Sequence, residues 1–146
     1  MQEPIDKSTW GPGPWQKEPD YLEWTDEETL FHCEIKRTHT GHLCGYVHVP
    51  KGNPNYGRTD ADLHMDCHGG VTYGDINEET GLWVIGFDCA HFSDMSPGNL
   101  AAGGTYQDIQ YVRKEVTALA QQLFSPLEAL ASSHSWLVND TNNQTD

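Results

Sequence analysis

Apolar and polar residues alternate over residues 30–37, with Phe31, Cys33 and Ile35 on one side and His32, Glu34 and Lys36 on the other. A period of two marks a half-buried strand. Thr38-His39-Thr40-Gly41 supplies a turn, and residues 43–49 read as the returning strand of a hairpin that Pro50 ends. Residues 50–61 read as a loop. Leu63, Met65 and Cys67 then alternate with His64, Asp66 and His68, which predicts a third strand closed by Gly69-Gly70. Residues 71–73 predict a short fourth strand, residues 75–81 a polar turn, and residues 82–87 the clearest strand of the chain. A loop rich in Gly, Ser and Pro follows over residues 88–104, a length that usually carries function.

After that loop the period changes. Ile109, Val112, Val116, Leu119, Ala120 and Leu123 recur at helical spacing, with Thr105 and Asp108 resembling a capping box. This predicts one amphipathic helix covering a sheet face. Ser125-Pro126 predicts a second, short helix through Ala131. The first 27 residues are acidic and Pro-rich, and carry Trp10, Trp15 and Trp24. Tryptophans are not left in water, so an extended arm packed on the body or on a partner subunit is expected, and with it a homo-oligomer. The predicted organisation is therefore an arm over 1–27, a single α+β domain over 28–138 and a polar tail over 139–146. The domain is an antiparallel sheet of four to five strands with one long helix on a face.

With 146 residues the chain is sized for one domain. Its formal net charge of -14 disfavours long nucleic acid and anionic membranes, which need a basic stripe. No apolar run reaches the length of a membrane span. The start, Met1-Gln2-Glu3-Pro4, reads as free of a secretory signal, so a cytoplasmic protein with reduced cysteines is expected. Cys33, Cys44, Cys67 and Cys89 form no CxxC pair, which leaves the usual zinc-knuckle spacing missing. Cys89 follows the apolar face of Trp83, Ile85 and Phe87 and reads as buried rather than nucleophilic.

The chemistry gathers at strand ends. His64, Asp66 and His68 are expected on one strand face, where imidazoles and a carboxylate can bind metal, exchange protons or hold a polar ligand. A solvated polar face is the plain alternative. Gly69 and Gly70 let backbone approach a ligand, and Thr72 and Tyr73 follow with hydroxyls. Asp88, His91 and Asp94 leave the strand over 82–87. His68, Asp88 and His91 are the expected catalytic set, with Asp88 fixing the tautomer of His91. Gly103-Gly104-Thr105 is expected to open the helix as an anion site, and Lys51 and Arg58 to clamp a phosphate.

Leu43-Cys44-Gly45-Tyr46-Val47-His48-Val49-Pro50, His68-Gly69-Gly70-Val71-Thr72-Tyr73 and Gly86-Phe87-Asp88-Cys89-Ala90-His91-Phe92-Ser93-Asp94, with the Tyr-rich amphipathic helix that follows, carry a resemblance. Over roughly residues 28–124 the chain resembles a family of small phage and prophage proteins without an assigned activity. The resemblance implies a phage-type accessory protein in a bacterial cytoplasm. By analogy with phage proteins that disarm host nucleotide signals, it would bind a small nucleotide-like immune signal and sequester or hydrolyse it. No cofactor follows from the residues. Two alternatives stand beside this reading. One is a metal-binding hydrolase using His64, His68, His91, Asp66 and Asp88. The other is an acidic protein-binding inhibitor or adaptor, whose charge would compete for basic clefts.

Overall fold

The computed structural model describes residues 4–59, 63–99 and 103–124. Among these, the strands are β1 (Tyr21–Thr25), β2 (His32–Arg37), β3 (Leu43–Val49), β4 (Tyr73–Ile76) and β5 (Trp83–Asp88), followed by the helix α1 (Ile109–Leu123). All pairings are antiparallel, and the sheet order is β1-β2-β3-β5-β4. The α+β class, the five-stranded antiparallel sheet and the covering helix agree with the reading of the sequence.

The register assigns the two faces. Cys33 opposes Val47, and Val47 opposes Ile85, so these residues share the face that α1 covers. Val112, Val116, Leu119, Ala120 and Leu123 close the core against them. Contact is tight at Gly45, where a Cβ would lie 2.5 Å from Val116 Cγ2. Each valine, leucine or isoleucine sealed here contributes roughly 1.5–3 kcal/mol of transfer free energy. His32, Glu34, Tyr46, His48, Val84 and Tyr73 fall on the other face, which no described helix covers.

Three expectations are corrected. Residues 63–67 form no strand, although their burial still alternates: Leu63 is buried while His64 and Asp66 are exposed. Their backbone pairs with a side chain instead, since Gln122 accepts from Asp66 N–H at 2.7 Å and donates to its carbonyl at 2.8 Å. The fourth strand begins at Tyr73 and runs into the segment expected to be a turn. Thr105 does not cap the helix. Asp108 is the N-cap, accepting from Tyr111 N–H at 2.9 Å, and Thr105 forms a bridge with Asp94.

The arm packs on the body, one of the two places expected for it. It supplies β1 to the sheet and belongs to the same packed body. Trp10 and Trp15 are buried by this chain's own residues, with Trp15 edge-on to Tyr106 at 5.1 Å between ring centres. Arg37, with its side chain fully covered, donates to Asp20 at 2.9 Å, Glu18 at 3.0 Å and Tyr106 at 2.7 Å. Trp10 and Trp15 are therefore covered without a partner subunit, while Trp24 is only half-buried. The expected second helix and polar tail lie outside the described residues.

Candidate functional site

Where β5 ends, three segments converge: residues 67–72, residues 88–98 and the first turn of α1. Asp94 is their hub. Its side chain is fully covered. It accepts from His68 Nε2 at 2.9 and 3.0 Å, from His91 N–H at 3.0 Å, from His91 Nδ1 at 2.9 Å and from Gln107 Nε2 at 3.1 Å. Burial alone would raise this carboxyl, but the hydrogen bonds from His68, His91 and Gln107 hold it down at about 2.

For imidazoles in the neutral form, these bonds select the tautomer. A carboxylate can only accept, so each ring presents an N–H to Asp94. His68 therefore carries its proton on Nε2, and its Nδ1 accepts from the Tyr111 hydroxyl at 2.8 Å. His91 carries its proton on Nδ1, which leaves Nε2 as a lone-pair nitrogen on a ring about a third exposed. The two rings meet edge to face with centres 5.3 Å apart. Asp88 lies on the free side of His91, its Oδ1 3.9 Å from Nε2. Thr72 Oγ1 donates to Asp88 at 3.0 Å, and Ala90 N–H donates at 3.1 Å. The tautomer-fixing role expected of Asp88 thus belongs to Asp94.

Gly69 serves this arrangement directly. Its φ is +71°, and a Cβ there would stand 2.2 Å from His91 Cε1 and Nε2. The ring of His91 occupies the space a side chain would need. Gly70 also has a positive φ of +82°, with nothing within 4 Å of a would-be Cβ.

The other expected residues separate into those at the cluster and those elsewhere. Thr105 and Gly104 stand behind Asp94, through the bond from Thr105 N–H to the Ser93 carbonyl at 2.8 Å. Gly103 and Gly104 open no helix, so no anion site forms at a helix start there. Tyr73 turns to the open face, edge-on to Tyr46 at 5.4 Å. His64 and Asp66 are exposed and do not join the cluster. Arg58 sits at the opposite end of β5, where its carbonyl accepts from Trp83 Nε1 at 2.9 Å, and Lys51 is exposed in the same loop. With β5 rising about 3.3 Å per residue, that end lies roughly 17 Å from Asp88. Cys89 is buried; burial and the nearby Asp94 push its thiol well up, so it is no nucleophile.

Sequence reasoning missed Tyr111 and Gln107, and gave His42 no role although it opens a histidine-bearing stretch. Burial lowers His42 while Asp88 and Asp94 raise it, and Ser96 Oγ stands 3.4 Å from its Nδ1. It lies within reach of the cluster's charges from the turn before β3. Tyr111 sits three residues after the helix cap, a position that the helical register could have pointed toward the strand ends. Among the described residues His68, His91 and Asp94 also form a possible cation cage, with one donor atom from each lying within 4.8 Å of the others.

No family model, no curated protein and no solved structure matches this chain.

Proposed function

We propose that this cluster is the acid–base centre of a small hydrolase acting on a nucleotide-like ligand. One observation carries the reading: buried Asp94 holds His91 by Nδ1–H, which leaves Nε2 free on a partly exposed ring. That is the geometry a general base requires. His91 would take a proton from an attacking water and return it to the leaving group. Asp94 would stabilise the imidazolium that forms between the two steps. Asp88, close to the free nitrogen, is placed to orient the water. His68 and Tyr111 act as positioning residues that keep Asp94 in place.

The choice of a nucleotide-like signal, and of a phage-type accessory role in a bacterial cell, rests on the family resemblance. Among the described residues, none of the hydrogen bonds at the cluster comes from lysine or arginine, so the ligand panel is offered with magnesium. The second reading is a metal-dependent hydrolase, favoured by the three donors within 4.8 Å. It must compete with Gln107 and the His91 N–H for the lone pairs of Asp94.

The test is incubation with a panel of cyclic and linear nucleotides in the presence of magnesium, with products read by mass spectrometry. Shortened products that fall at least about 100-fold in His91→Ala would support the acid–base reading. Intact ligand released from denatured wild-type protein, with no product, would replace hydrolysis by sequestration. No product and no retained ligand across the panel would remove the nucleotide assignment.

A further inference from the structure

The open face of the sheet holds a second constellation that the first site does not use. His32 and His48 are directly opposite on β2 and β3, and Glu34 is two residues along β2 on the same face. The two rings are 4.8 Å apart between centres. Glu34 Oε1 lies 2.6 Å from His48 Nε2, and Tyr21 O–H donates to Glu34 Oε2 at 2.6 Å. One donor atom from each of His32, Glu34 and His48 falls within 4.8 Å of the others.

We propose that His32, Glu34 and His48 bind a divalent transition-metal ion of the zinc class. Two imidazoles and a carboxylate form a nitrogen and oxygen donor set of the kind such ions take. A second observation stands apart from the cluster itself. His48 is 5% exposed, and its Nδ1 has no hydrogen-bond partner. Buried polar atoms are nearly always paired, so the protein's own atoms leave this ring incomplete. Glu34 carries its charge at neutral pH: the hydrogen bond from His48 outweighs burial, and with Tyr21 it holds the carboxyl at about 2.

The geometry needs little adjustment. Donors about 2.0–2.1 Å from a tetrahedral ion stand about 3.4 Å apart, so donor atoms now within 4.8 Å of one another would shift by no more than about 1.4 Å. Glu23, 3.2 Å from His32 Nε2, stands where a carboxylate can orient a ligating imidazole. Beside Glu34 and His48 a pocket of about 210 Å³, lined also by Tyr46, Tyr73 and Lys36, has room for a water or small ligand next to these two donors. Three protein ligands with an open fourth place are the pattern of sites that exchange ligands. The site shares no residue with the cluster at the end of β5 and does not depend on its function.

Zinc alone, titrated into the full chain against a chromophoric chelator, tests the assignment. His32 is a third exposed, so His32→Ala leaves no sealed cavity. The wild type and His91→Ala should both hold a zinc equivalent that His32→Ala binds at least about tenfold more weakly. On the unmodified chain, zinc should also shift the NMR signals of both the His32 and His48 rings. The proposal is overturned if the wild type does not compete with the chelator, if His32→Ala binds as the wild type does, if the loss follows His91→Ala instead, or if either ring is unmoved.

Discussion

Asp94 and Glu34 are carboxyl groups set in covered positions and held charged by imidazole neighbours. Each has a folded value of about 2, against 3.8 and 4.5 for the free groups. A folded value below the unfolded one means the unfolded chain binds more protons as the pH falls. Each group therefore contributes stability above about pH 4–5, and loses that contribution as the pH drops toward 2. For Asp94 the shift corresponds to about 2 kcal/mol. Urea unfolding between pH 5 and 2 should show this loss, and Asp94→Asn should flatten part of it. A wild-type profile that stays level over that range would contradict the bonding described. Gly69 and Gly70 make a second comparison at this scale. Gly69→Ala meets both a positive φ and the His91 ring, so it should lower activity sharply. Gly70→Ala meets only the backbone strain, about 1 kcal/mol, and should keep activity. Equal activity in the two variants would separate His91 from Gly69. The sequence singled out His68-Gly69-Gly70, and the structure places it beside His91; Asp94 was not legible as the centre of the cluster. Nothing local in Phe92-Ser93-Asp94 shows that the carboxylate is sealed beneath two rings, because the seal comes from Gln107 and His68, which are distant in sequence.

At the scale of elements, the hairpin of β2 and β3 was readable almost to the residue, since alternation and a turn signal coincide there. The hairpin also held the second cluster in view. A turn at residues 38–41 places His32 opposite His48, but a polar face on an antiparallel strand reads as solvated unless its exposure is known. The alternation at residues 63–67 was misleading for a physical reason: burial against a helix end produces the same pattern as a strand, with Gln122 standing in for a neighbouring strand. β1 was hidden by the prolines before it and by the acidic residues around it. Its importance is testable. Trp15→Ala removes a buried aromatic ring and should destabilise the chain by about 3–5 kcal/mol. Deleting residues 1–26 should do more, since buried Arg37 would lose Glu18 and Asp20. Melting temperatures unchanged in both proteins would mean the arm contributes nothing to the fold.

For the whole molecule, the sheet works as a frame with two chemically distinct places. One is the end where β5 delivers Asp88 and the flanking loops bring His68, His91 and Asp94. The other is the open face between β2 and β3. No helix among the described residues is long and apolar enough to cross a membrane. The first place is assembled only by the complete fold, because its partners come from the turn before β3, the glycine loop, the loop after β5 and the first turn of α1. Its central feature is a pair of opposite tautomers on one carboxylate. Long-range proton–nitrogen NMR of the imidazoles, recorded on the metal-free native chain above the pH where histidine titrates, reads this directly. The account predicts His68 protonated on Nε2 and His91 protonated on Nδ1, with His91 Nε2 bare. A metal held by the donor atoms that now face Asp94 would reverse both assignments when it is added. His91 found protonated on Nε2 in the metal-free protein would contradict the acid–base centre.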